Sequence, residues 1–335
     1  MEKRGNLLNV SDLHVVFYTY RGVIKALNGV ELWMDKGERL GVVGETGCGK
    51  SVTSRAVMNL IEDPGKILSG SVLFEDRDIL KLKESEVRKI RGNEISMIFQ
   101  EPKSSLNPVM NVGFQIAEVL GKVNNKPIKS QYKPAAQMLE FVGLDSERVM
   151  TMYPHELSGG MAQRVMIAMG LAPKPKLLIA DEPTSALDVT IQAQILELLD
   201  DLVEKLGNAV MLISHDMGVV AEFCNKILVM YAGNSVEYAS TKTLFKNPLH
   251  PYTTGLLKAV PQIGRTDELK AITGTVPDLV DPPSGCRFHK RCPQVMDICK
   301  KERPPFIQVE DDHYVACHLW NNKESSDEQK GGESQ

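Results

Sequence analysis

The stretch Gly44-Glu45-Thr46-Gly47-Cys48-Gly49-Lys50-Ser51 decides how the rest of the chain is read. Its glycines at 44 and 49, followed by Lys and Ser, fit the loop that cradles phosphate groups. Arg39-Leu40-Gly41-Val42-Val43 before it reads as a buried strand, and residues 52–60 after it read as the opening of a helix. Strand, glycine loop and helix form the context this motif requires. Glycine lets the backbone wrap closely, so successive N–H groups turn inward as a nest for phosphate oxygens. The helix adds the positive end of its dipole. In such a loop Lys50 neutralises the β- and γ-phosphates, and the Ser51 hydroxyl ligates Mg2+.

Upstream, residues 10–17 and 26–34 are rich in β-formers, with Tyr20-Arg21-Gly22 as the turn between them. Downstream, residues 71–74 and 95–99 read as short strands, the second ending at Gln100. Residues 101–165 change to helical spacing at 116–119, at 135–142 and after Ser158, which predicts a helical insertion carrying a loop at 126–134. Strands at 177–180, 209–213 and 226–231 then alternate with helices at 191–205 and 217–224. Continuous apolar strands alternating with helices predict a mainly parallel sheet covered on both faces. The expected fold class is therefore α/β, a P-loop NTPase-type, mainly parallel sheet flanked by helices. Added to it are an antiparallel β subdomain, a helical insertion subdomain and a small irregular C-terminal extension. Beyond about residue 240 prolines accumulate and periodicity fades, which places domain limits at 7–240, 241–322 and a disordered tail at 323–335.

At 335 residues the chain is long enough for two domains, or one with an extension, and 42% hydrophobic content is ordinary for a packed core. A net charge of −4 gives no nucleic-acid field. No apolar run reaches the length of about 18 residues that a membrane span needs. Met1 to Asn6 is not followed by a signal-type apolar segment, so a cytosolic chain is expected.

Two further stretches carry chemistry. Leu177-Leu178-Ile179-Ala180-Asp181-Glu182 is an apolar strand ending in two carboxylates. After a phosphate loop, that pattern lets Asp181 hold the Mg2+ shell and Glu182 polarise an attacking water. Leu157-Ser158-Gly159-Gly160-Met161 opens a helical stretch, so its N–H groups can face another phosphate.

With these motifs in order, residues 7–240 resemble the ATPase subunits of ATP-binding-cassette (ABC) transporters. The resemblance implies two ATP molecules sandwiched in a head-to-tail dimer. Each would be bound by residues 44–52 of one subunit (Gly44, Glu45, Thr46, Gly47, Cys48, Gly49, Lys50, Ser51, Val52) and by the Ser158, Gly159 and Gly160 signature of the other. Met161 stands where the family usually has Gln, and Val52 where it often has Ser or Thr. Gln100 matches the loop that senses Mg2+ and the attacking water and links to the membrane partner. His215 matches the switch histidine near the γ-phosphate, and Ser185-Ala186-Leu187-Asp188 matches the loop that crosses the dimer interface. Tyr20 is the candidate for stacking on adenine, with Phe17 and Tyr18 as neighbouring alternatives.

The extension narrows the resemblance. Residues 245–257 and 282–293 are similar to the extension of oligopeptide and dipeptide importer ATPases, with nickel-importer ATPases as close relatives. This implies membrane permease subunits, a second cassette in a homo- or heterodimer, and indirectly an extracellular or periplasmic peptide-binding protein as partners. It also implies a place on the cytoplasmic face of the membrane. A soluble cassette acting on DNA or ribosomes is the rival class. The absence of a heptad run or basic patch argues against it and against a nucleic-acid partner.

Cys286, Cys292, Cys299 and Cys317 supply four thiols at intervals wider than structural zinc sites prefer. An iron–sulfur cluster is larger than one ion and accepts wider spacing. The resemblance implies a [4Fe–4S] cluster here, with Arg287, Lys290 and Arg291 offsetting its charge. Zinc, or free or disulfide-linked cysteines, stand as alternatives.

Overall fold

The computed structural model describes residues 5–185, 187–259 and 272–321. The expected tail at 323–335 lies outside them. In chain order the strands are β1 (Leu8–Thr19), β2 (Gly22–Met34), β3 (Arg39–Val43), β4 (Gly65–Phe74), β5 (Arg77–Asp78), β6 (Ile95–Ile98), β7 (Leu177–Asp181), β8 (Ala209–Ile213), β9 (Lys226–Tyr231), β10 (Asn234–Ser240), β11 (Ile307–Glu310) and β12 (His313–Val315). The helices are α1 (Lys50–Val57), α2 (Glu84–Ile90), α3 (Pro102–Ser105), α4 (Val112–Asn124), α5 (Tyr132–Phe141), α6 (Ser146–Val149), α7 (Gly159–Leu171), α8 (Val189–Leu206), α9 (Met217–Phe223), α10 (Thr241–Lys246) and α11 (Pro251–Lys258). The chain divides into two compact units, one of residues 1–33, 40–76 and 215–335, the other of residues 34–39 and 77–214.

In the first unit β1 pairs antiparallel with β4, Leu8 opposite Phe74 and Phe17 opposite Gly65. Leu8, Val10, Val15, Val72 and Phe74 are all buried, so this pair carries its own apolar face. A second sheet runs β11-β12-β10-β9-β3, with β3 parallel to β9 and the other pairs antiparallel. Strands β11 and β12, which come from the region read as irregular, are thus an added edge of the sheet. The hydrophobic effect fixes them there. Trp33 of β2 packs its ring 4.3 Å from Tyr238 of β10 and 4.6 Å from Tyr314 of β12, and the Tyr238 hydroxyl donates to the Trp33 carbonyl at 2.9 Å. Each such aromatic pair adds about 0.5–1.5 kcal/mol beyond the area it buries.

In the second unit β6, β7 and β8 are parallel, Ile95 opposite Leu177 and Leu177 opposite Ala209. Every residue of β7 and β8 is buried, as the continuous apolar runs require of a sheet covered on both faces. Glu94 ties the strand starts together, accepting both arms of Arg77 at 3.0 and 2.7 Å and Lys176 at 2.9 Å. Helices α3 to α7 occupy residues 102–171 of the second unit. Asn111 caps α4 by accepting from the Phe114 N–H, Ser158 caps α7 and Asp188 caps α8. Residues 126–134 differ from the loop expected there, since a 3-10 turn at Ile128–Gln131 runs straight into α5. Among the described residues no helix is long and apolar enough to cross a membrane.

Candidate functional site

Each unit holds part of the motif set. In the first unit β3 delivers the chain into the loop at Gly44, and α1 begins at Lys50. Gly44 (φ +151°) passes so close to the Met230 carbonyl that a Cβ would collide with it. Gly49 is the left-handed N-cap of α1 (φ +104°), and a Cβ there would meet Leu27 at 2.8 Å. Any L side chain at either position would be strained, so the glycine spacing read from the sequence is a steric demand. Lys50 is 5% exposed and folds back over the loop, donating to the Gly44 carbonyl at 2.7 Å and the Glu45 carbonyl at 3.3 Å. Burial pushes the Cys48 thiol pKa up, opposed by the Lys50 ammonium. His215 is exposed. Tyr20 is 98% exposed at the tip between β1 and β2, whereas Tyr18 lies under the Lys66 ammonium at 5.6 Å and the Phe17 ring lies close against Gly65. Of the three aromatics, Tyr20 presents a free ring face.

In the second unit β7 ends on the two carboxylates. Asp181 is 3% exposed, and Glu182 follows with φ +46°, a conformation uncommon outside glycine that marks a strained turn. Gln100 donates from Nε2 to Glu182 Oε2 at 3.0 Å, so residues read from separate motifs meet. Ser185 Oγ donates to the Glu182 carbonyl at 3.0 Å and holds the turn. Ser158 and Gly159 are exposed at the start of α7, where Ser158 Oγ accepts from the Met161 N–H at 3.2 Å. A Cβ on Gly160 would press on Ile191 at 3.0 Å, so the small residues here allow α7 and the start of α8 to approach. Asp188 is exposed and accepts from the Ile191 N–H at 3.0 Å.

Two residues that sequence reasoning missed touch the phosphate loop. Tyr252 of α11 accepts from the Glu45 N–H at 2.9 Å, and Arg291 grips the Glu45 carboxylate at 2.7 and 3.0 Å. Tyr252 lies in a segment the sequence resemblance had picked out. Its contact spans 207 residues, and no local pattern encodes that.

The cysteine-rich region brings the four expected thiols near one another, and Cys286, Cys292, Cys299 and Cys317 form no disulfide. Among the described residues no three His, Cys, Asp or Glu side chains converge as ligands of one metal ion, and the expected [4Fe–4S] cluster is not itself shown. Cys286 and Cys292 sit on one loop, Cys299 in the 3-10 turn Asp297–Lys300 and Cys317 beyond β12, and Cys286 feels the charge of the other three. The arginines do not offset a thiolate cluster as expected. Arg287 donates to the carbonyls of Lys25 and Ala232, and Arg291 is committed to Glu45. Burial, and secondarily the neighbouring cysteines, raise Cys286 to about 12 and Cys317 to about 11.

Comparison with known proteins agrees with this arrangement. The ABC transporter family model matches residues 27–185, and the model for the oligopeptide/dipeptide transporter C-terminal region matches residues 236–299. The chain is 50% identical to the oligopeptide transport ATP-binding protein OppD of Bacillus subtilis, over 93% of this chain and 88% of that protein. It is 48% identical to the oligopeptide transport ATP-binding protein AppD of the same organism, over 95% of this chain and 98% of that protein. The dimeric post-hydrolysis structure of the ATP-binding cassette MJ0796, bound to ADP and Pi, superposes with a TM-score of 0.62 at 28% identity, covering 70% of this chain and 99% of that one. The chain therefore belongs to the ATP-hydrolysing, ATP-binding subunits of the ABC transporter family and carries the oligopeptide/dipeptide transporter C-terminal region.

Proposed function

We propose that this chain powers the import of di- or oligopeptides through a membrane permease. The observation that carries the reading is the similarity to OppD and AppD, which runs through the C-terminal region as well as the cassette. The roles follow from the side chains. The inward N–H groups of the loop and Lys50 take up phosphate charge. Ser51, Gln100 and Asp181 offer the hydroxyl, amide and carboxylate oxygens that a hard cation prefers. Bound Mg2+ supplies charge neutralisation on the β- and γ-phosphates. Glu182 accepts a proton from the attacking water, and the Gln100 amide fixes the orientation of its carboxylate. His215 stabilises the γ-phosphate charge, and Tyr20 stacks on adenine. Ser158 to Gly160 and Asp188 serve a second cassette, identical or similar, whose own loop is completed by their exposed N–H groups and carboxylate. Work is delivered to permease subunits at the cytoplasmic face, and a peptide-binding protein on the far side supplies the cargo.

We further infer that Cys286, Cys292, Cys299 and Cys317 hold a [4Fe–4S] cluster that braces the extension. What supports it is four unpaired thiols, of which Cys286 feels the charge of the other three, in a set wide enough for a cluster rather than one ion. Such a cluster supplies cross-linking of segments with little core of their own. Iron and sulfide content of anaerobically purified protein checks it, with Cys286→Ser expected to lose both. A colourless, iron-free wild type would overturn it.

The test of the main reading is reconstitution. Co-expressed permease subunits should co-purify with the chain, and ATP turnover in liposomes should drive peptide uptake. Nickel uptake instead would move the substrate class, and co-purification with nucleic acid without a permease would sink the importer.

A further inference from the structure

A carboxylate in a phosphate-binding loop is electrostatically misplaced. Glu45 is the second residue of the loop, and its carbonyl lies 3.3 Å from the Lys50 ammonium. Its negative charge reaches Cys48 within the same loop. Left uncompensated, it would oppose a triphosphate at the nest.

The compensation comes from the C-terminal region. Arg291 has its five N–H donors taken: Nη1 by Glu45 Oε2 and the Tyr231 hydroxyl, Nη2 by Glu45 Oε1 and the Ile272 carbonyl, Nε by the Thr273 carbonyl. The Arg291 side chain is 7% exposed and its guanidinium sits 5.7 Å over the Tyr231 ring. Bidentate geometry with fully used donors is the strong form of this interaction. Tyr252 meanwhile takes the Glu45 N–H, fixing the backbone at the same residue.

We propose that Arg291 is a positioning residue for the phosphate loop, cancelling the charge of Glu45 so that the loop accepts a nucleoside triphosphate. ATP affinity is thereby set from the C-terminal region, by the loop between Cys286 and Cys292. The inference rests on the ATP-binding reading above. It also gives the extension a part in the ATPase cycle, since any change that draws Arg291 away from Glu45 returns a negative charge to the loop.

Titration of the full chain with Mg·ATP, alongside the melting temperature of the nucleotide-free protein, tests it. Arg291→Met should weaken binding about tenfold, because it leaves a partly buried carboxylate uncompensated. Glu45→Gln keeps the backbone N–H and removes only the side-chain charge, so it serves as the reference background. In that background Arg291→Met should cost less than about threefold, so the double variant R291M/E45Q should bind better than R291M. That recovery is the diagnostic readout, because a purely structural anchor would not be restored by removing its second half. Binding by R291M within about twofold of wild type overturns the proposal, as does a double variant no better than R291M. Should R291M fail to fold, Arg291→Gln with and without Glu45→Gln carries the same comparison, and absence of recovery overturns it equally. A wild type that binds no Mg·ATP would instead remove the ATP-binding reading itself.

Discussion

Glu237 and His313, both without solvent exposure, share a 2.8 Å contact between Oε1 and Nε2. The same carboxylate accepts from the N–H groups of Leu249 and His250 at 2.7 and 2.9 Å. One buried side chain of β10 thus holds the entry to α11 and the start of β12. Removing the shared acceptor leaves the buried Leu249 and His250 N–H groups unpaired, at a cost of about 1–3 kcal/mol each. Glu237→Ala should therefore lower the urea midpoint by that equivalent, and a loss below about 1 kcal/mol would show that water repairs the site.

Burial holds the His250 imidazole down at about 4, against the opposing pull of Glu237. Its Nδ1 also accepts from the Tyr252 N–H at 3.0 Å, which protonation there would forfeit. The unfolded chain takes up this proton near pH 6.5, the folded one only near 4. Stability from this group is therefore complete above about pH 6.5 and falls as pH drops towards 4, by roughly 3 kcal/mol in all. Denaturation at pH 7 and pH 5 should show the slope in wild type and a shallower one in His250→Asn.

Glu182→Gln keeps the shape of the strand end but removes the proton acceptor. Turnover should fall by about two to four orders of magnitude. ATP binding should persist and the protein should elute as a dimer with ATP present. Phosphate release and size exclusion report the two parts, and near wild-type turnover would reassign the base.

Tyr20→Ala deletes a ring that is almost fully exposed, so the melting temperature should not move. ATP affinity should drop about fivefold while turnover at saturating ATP holds. Unchanged affinity would move the adenine contact elsewhere.

The parts legible in the sequence are those written locally. Gly44 and Gly49 advertise steric needs, Asp181 and Glu182 close an apolar strand, and β7, β8 and β9 read as unbroken apolar runs. The Gln100–Glu182 bond spans 82 residues, and the sequence reading gave its two ends only separate roles toward the attacking water. The extension was legible only by resemblance. Strands β11 and β12 span four and three residues, too few for a period to show, and they are strands because β10 and Trp33 receive them. Arg291 reads as one of several basic residues beside the cysteines, and only the fold turns it 246 positions back towards Glu45.

The packing of Trp33 has an optical consequence. The chain has two tryptophans, and both lie in the first unit against the C-terminal region: Trp33 on Tyr238 and Tyr314, and Trp320 donating from Nε1 to the Leu249 carbonyl at 3.1 Å. Tryptophan emission, absent from the unit bearing Glu182, therefore reports the seating of the C-terminal strands. In a stopped-flow or denaturant series, a red shift dates the release of those strands, and circular dichroism dates the loss of the helices.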